Sequence, residues 1–446
     1  MKSACCDKRV IKINLNLEKI GHLRYSIDSK ESLIKLKKVE TKSVSQEFSV
    51  WTRIRVILCR LEDTTEYVNT LELRNQKYKR AAFDFYDFIN NSCVIIDCVK
   101  EFAKIFTLET RTIEVATDVF NMIGDGSGND GKFFKYIRSL TSAHPLKTSF
   151  HAAYHGENNE HSCYYVTWNS FLYENARDLS VFIYSTDENN EKETIGLKVS
   201  DFEKYLNKWI CFIDEIIVAI NNYSENKILE LVSQRMKTPN EFGMYIEYLQ
   251  YLKEEMNSRY NYDTEYAIDS LIKVFSVQIT NSKNIPKFEL YRNAIQYSVS
   301  FLHKRLQDMN GDDTTNTGIL FPEPNTKTEL YLEMARPFCM TSDVDKYRYN
   351  LEKLMYLSGE RSVYSIMTAR SLLDEMKDWL NGYVVFTNHE SNEETIVLVH
   401  LAQYLDCLNH KSCINKNIPN SLKYRERLLL DDEMRELPVM NPERLC

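Results

Sequence analysis

The sequence predicts a mainly α fold: an N-terminal helical bundle with a small β-hairpin, followed by an all-helical C-terminal region. Three observations predict it. Gly and Pro number only 12 and 9 in 446 residues, too few for the turns of a sandwich, barrel or propeller. Apolar residues recur at spacings of three and four along most of the chain beyond Ser200. A hydrophobic content of 43% and an aromatic content of 12% exclude a disordered chain.

Taken in order, residues 1–47 read as a basic N-terminal segment, since residues 1–60 hold 14 Lys/Arg against 6 Asp/Glu. Within it, KRVIKINLN alternates enough for a short strand. A helical pattern begins at Phe48 and runs to about Leu73. From Ala81 to Phe106 the chain has no Gly or Pro and is apolar on more than one side, which predicts a central, buried helix. GDGSGND, at 124–130, is a loop. A short helix from Lys132 to about Ala143 is stopped by Pro145. DLSVFIYS and TIGLKVS alternate around an acidic turn and predict a hairpin near 179–199. Ser200 and Glu203 form a capping-box pattern. Behind them Phe202, Tyr205, Leu206, Trp209, Ile213, Ile216, Ile217 and Ile220 share one buried face. The helical domain thus spans 48–235. Residues 236–446 form the C-terminal region, with helices at 240–260, 264–280, 287–308, 327–337, 343–357, 360–381 and 393–409 and a linker at 309–327.

Composition also bounds the function. The net charge of −8 excludes a generic nucleic-acid coat but leaves room for a local phosphate site. Eleven cysteines without framework spacing, and no leader-like apolar segment at the start, point to reduced thiols in a cytoplasm. No membrane partner is expected, because the longest apolar stretch, Trp209 to Ile220, is interrupted by Asp214 and Glu215.

The most informative window is Gly131 to Gly156, which contains no acidic residue in an otherwise acidic chain. It carries Lys132, Lys135, Arg138 and Lys147 with His144, His151 and His155, interleaved with Phe133, Phe134, Tyr136, Phe150 and Tyr154. Cations among aromatics suit phosphate and base contacts; the same pattern also describes a solvated basic helix end with its aromatic side in the core. Arg138 and His144 converge only if the helix ends between them, and Pro145 supplies that ending. Arg is permanently charged and forks onto phosphate oxygens. His moves a proton near neutral pH. Together the pair matches metal-free RNA cleavage by 2′-hydroxyl attack.

A long buried helix, a loop, and a helix ending in R-x5-H resemble the HEPN superfamily, over roughly residues 48–225. The resemblance rests on FDFYDFINNSCVIIDCVKEF followed by FKYIRSLTSAHPLKTS. It implies a four-to-five-helix bundle that dimerises and brings two motifs together at one site. It implies a metal-independent endoribonuclease, with no cofactor, acting in phage defence or as a toxin. Arg138 and His144 would be catalytic. Lys132, Lys135, Ser139, Thr148 and His151 are candidates for substrate contact. RNA would be the substrate, and an antitoxin or activating partner would control it. Two other readings compete: a non-catalytic interaction protein on the same bundle, and a zinc-dependent hydrolase using the histidines of 144–163.

Other clusters carry less. His151, His155, His161 and Cys163 lack the Glu of an H-E-x-x-H site. His400 and Cys407 share a helical face with core residues, and Arg292 and His303 read as a surface Arg and a packed His. DMNGDD lacks the Gly and Glu of a calcium loop.

Overall fold

A computed structural model of the chain describes residues 10–38, 50–74, 81–120, 129–143, 147–148, 164–169, 178–185, 193–261, 265–310, 346–358, 361–387 and 389–409. The expected loop at 124–130, the linker at 309–327 and the helix at 327–337 fall largely or wholly outside them. The chain is mainly α and divides into two compact units, Met1–Asn226 and Lys227–Cys446.

In the first unit, strand β1 (Val10–Lys12) pairs antiparallel with β2 (Glu72–Arg74). Between them lie helices α1 (Leu17–Asp28), α2 (Glu31–Lys35) and α3 (Val50–Thr70). Then come α4 (Ala81–Ile105), α5 (Arg111–Glu114) and α6 (Asp130–Arg138), the last continued by a π turn over Ser139–Ala143. A four-stranded antiparallel sheet follows in the order β3 (Lys147–Thr148), β4 (Tyr164–Asn169), β5 (Leu179–Ser185), β6 (Glu193–Leu197). Helices α7 (Val199–Cys211) and α8 (Ile213–Ser233) complete the unit, and its division from the second falls within α8.

Helix α4 is the axis of this core, as its sequence predicts: Phe85, Phe88, Ile89, Ile95, Val99 and Phe102 are fully buried. Phe85 meets Phe202 of α7 edge-on at 5.5 Å between ring centroids, and Trp168 of β4 at 5.6 Å. The sheet adds Val166, Val181, Ile183 and Leu197 from its inner face.

The basic N-terminal segment contributes a helix to the core. Asn16 caps α1 by accepting from Glu18 N–H at 2.9 Å, and Ile20, Leu23 and Ile27 enter the core at 0–1% exposure. Each such side chain contributes about 1.5–3 kcal/mol, enough to order a charged segment. The hairpin expected near 179–199 is present as β5 and β6, paired from Leu179↔Leu197 to Ile183↔Glu193, and β4 extends it by pairing with β5 from Tyr164↔Ser185 to Asn169↔Ser180. One expectation is corrected: Ser200 does not cap α7. The helix starts at Val199, whose N–H donates to Asp178 at 2.8 Å, and Glu203 accepts from Asn14 N–H at 3.0 Å. Tertiary acceptors replace the local box.

The second unit packs α9 (Tyr245–Tyr260), α10 (Glu265–Ser276), α11 (Ile285–Gln307), α12 (Arg348–Lys353) with a 3-10 turn over Leu354–Leu357, α13 (Val363–Glu375), α14 (Lys377–Leu380) and α15 (Asn392–Asn409) around its own core. Arg259, 2% exposed, donates to the carbonyls of Leu231 and Gln234 at 2.9 and 2.8 Å, tying the end of α8 to α9. His303 is packed as expected and lies 3.0 Å from the Tyr248 hydroxyl. Arg292 is not a free surface group. It donates to the carbonyls of Phe275 and Val277 at 3.2 and 3.0 Å and so finishes α10.

The half-buried His400 of α15 has its basicity lowered to about 4 from an ordinary 6.5, mainly by desolvation and then by the Lys273 charge. The folded chain therefore refuses a proton that the unfolded chain accepts between those values. Stability should be independent of this group above about pH 6.5 and fall as pH drops from there toward about 4. In urea titrations, the drop in midpoint between about pH 7 and about pH 5 should be smaller for His400→Gln than for wild type. An equal drop in both would contradict the assignment.

Candidate functional site

Helix α6 carries the site. Asn129 caps it, accepting from Lys132 N–H at 2.8 Å. Phe133, Phe134, Tyr136 and Ile137 are buried, and Phe133 lies 4.7 Å from Phe120 between centroids. The apolar face fixes the opposite one, on which Lys132, Lys135 and Arg138 are exposed. At three-residue intervals they form a row about 9 Å long on one side of the helix. Such a row can engage more than one phosphate of a strand.

Two devices hold the start of α6. The first is Asp130, fully buried, whose carboxylate accepts from Phe120 N–H at 3.0 Å and Val119 N–H at 3.2 Å, with Lys208 at 3.7 Å. Its own N–H donates to Ala116 O at 2.7 Å. The second is Gly131. A β-carbon there would lie 2.6 Å from the Glu114 carbonyl oxygen, so only Gly lets the end of α5 approach this closely. Gly131→Ala should force these segments apart, lowering stability by about 1–3 kcal/mol and weakening any ligand held on α6. A thermal or urea unfolding midpoint equal to wild type would contradict this.

The row lines a cleft of about 170 Å3 together with Lys100 and Asp97 of α4, Glu114 of α5 and Tyr205 of α7. Lys100 bonds Glu114 at 2.6 Å, and this bond holds the Glu114 carboxyl below the usual range. Burial pushes the Cys93 thiol up to about 11 and the Tyr205 phenol up to about 12, so both stay protonated near neutral pH. Four cations face two carboxylates, giving the cleft a local positive charge on a chain of net −8.

The sequence reading found Lys132, Lys135 and Arg138, and the structure brings them to one cleft. It missed Lys100, Asp97 and Glu114, which come from elements distant in the chain; a Cys93, Asp97, Lys100 spacing on α4 was the available signal. Ser139, by contrast, is 6% exposed and does not line the cleft. It opens the π turn, where the Thr141 hydroxyl donates to the Arg138 carbonyl at 3.0 Å. Turns of this type recur at functional sites inside helices, and this one ends one residue before His144. Thr148 belongs to β3 and pairs with Tyr164. His144 and His151 lie outside the described residues, as do His155, His161 and Cys163. Among the described residues no three metal-binding side chains converge, and no helix is long and apolar enough to cross a membrane.

Comparison with protein-family models, curated proteins and solved structures finds no match to this chain.

Proposed function

We propose that the chain is a metal-independent endoribonuclease of the HEPN type, with a helical second unit that senses a trigger or binds a controlling partner. The observation that carries the reading is the cationic row of Lys132, Lys135 and Arg138 in a net-positive cleft, on the helix that leads into His144. Arg138 would stabilise the phosphorane charge in a bidentate grip, and His144 would take the 2′-hydroxyl proton. A homodimer would set two such pairs about one scissile phosphate, in a cytoplasmic toxin or phage-defence role.

The Lys132→Glu, Lys135→Glu double variant tests substrate contact. Both side chains are exposed, so the fold should persist. Affinity for single-stranded RNA should fall, and the log–log salt dependence should become shallower by about 0.7 per lost phosphate contact. Unchanged affinity and slope would place the RNA elsewhere and favour a non-catalytic interaction protein.

A further inference from the structure

The cleft beside α6 holds one charge that a phosphate site does not call for. Asp97 of α4 is exposed and lines it, one turn after Cys93 and one turn before Lys100, which line it too. The Asp97 and Arg138 charges act on the Cys93 thiol in opposite directions, so both groups stand near the same part of the cleft wall. Lys100 and Glu114 satisfy each other at 2.6 Å. Among the described residues nothing bonds the Asp97 carboxylate or the Lys135 ammonium, and both line the cleft.

That arrangement narrows the ligand. A bare phosphate meets the Asp97 charge, and a cation meets a net-positive cleft. The ligand that satisfies both carries phosphate for the cationic row and uncharged N–H donors for the carboxylate. A carboxylate sets two oxygens side by side and takes two parallel N–H bonds best. Among the RNA bases only guanine puts two adjacent N–H donors, at N1 and N2, on its Watson–Crick edge, the edge at which single-stranded bases are read. Adenine and cytosine offer one amine beside an acceptor, and uracil one ring N–H between two carbonyls. Val115, 49% exposed at the end of α5, and Ile96 of α4 supply the apolar surface against which a base rests.

We propose that Asp97 makes this cleft select guanine: its carboxylate accepts from the N1–H and N2–H of a guanine in single-stranded RNA, while Lys135 holds a neighbouring phosphate. The proposal rests on the reading of the cleft as an RNA site and adds the base that it reads.

Fluorescence anisotropy on the full chain with 2′-O-methyl pentamers UUGUU, UUAUU, UUCUU and UUUUU, which cannot be cut by 2′-hydroxyl attack, tests it. UUGUU should bind about tenfold more tightly than the other three. Inosine in place of the guanine base removes only the N2 amine and should lose most of that advantage. Asp97→Ala and Asp97→Asn should each erase it. The other three pentamers should bind Asp97→Ala as tightly as wild type or more so, because a charge that repels their phosphates is gone. Equal affinity for the four pentamers, inosine bound as tightly as guanine, a guanine preference that survives in Asp97→Ala, or weakening of all four in that variant would each overturn the proposal. The all-ribose UUGUU separates it from the nuclease reading. Guanine-selective binding without cleavage would remove the nuclease and leave the guanine site; cleavage without guanine preference would do the reverse.

Discussion

His144→Ala is expected to lower the rate of RNA cleavage by about 10²–10⁴-fold, with the fold intact. The imidazole is the one group in the proposed mechanism suited to move the 2′-hydroxyl proton near neutral pH. Cleft groups cannot substitute for it, since burial keeps the Cys93 thiol and the Tyr205 phenol protonated. Arg138→Ala should be comparably inactive. Arg138→Lys keeps the charge but loses the planar fork, and should recover little of the rate. Arg138 is exposed at the end of α6, so its truncation leaves no core cavity. Circular dichroism and the unfolding midpoint should match wild type. A folded His144→Ala protein with full activity would remove the pair from the mechanism, and unfolding of both Ala variants would make the pair structural.

The largest effect on stability in the first unit is expected from Asp130→Ala. Its carboxylate holds the Val119 and Phe120 N–H groups from a fully buried position. Removing it strands two backbone donors, while Lys208 keeps its ion pair with Asp118, and should cost about 3 kcal/mol. Asp130→Asn keeps one acceptor and should cost less. Urea unfolding of both variants checks the order. If Asp130→Ala unfolds at the wild-type midpoint, the start of α6 is held by other means. Activity should fall in parallel with stability in this series, in contrast to His144→Ala, where the two should separate.

These expectations depend on how much of the molecule is written in local pattern. Helix α4 is legible because Ala81–Phe106 has no Gly or Pro and must bury more than one face. The exposed row on α6 is legible because its aromatics and cations alternate at helical spacing. What is not legible is set by partners far away in the chain. Helix α1 hides among charges, although Ile20, Leu23 and Ile27 keep a helical spacing and their burial orders the segment. Ser200 and Glu203 form a valid capping pattern, yet Asp178 and Asn14 supply the bonds. Strand β4 gains its identity from pairing with β5, and the acidic side of the cleft from Asp97 and Glu114 on other helices. His400 reads as a core residue from its helical face; α10 and α12, placed against it by tertiary packing, make it the wall of a cavity.

The most direct measurement is the chemistry of the RNA ends. Purified protein is incubated with a 5′-labelled RNA in excess EDTA, and the products are resolved and characterised. Cleavage should proceed undiminished, leave 2′,3′-cyclic phosphate and 5′-hydroxyl ends, and be lost in His144→Ala. Intact RNA, or 3′-hydroxyl and 5′-phosphate ends that appear only with added divalent metal, would contradict the proposed function.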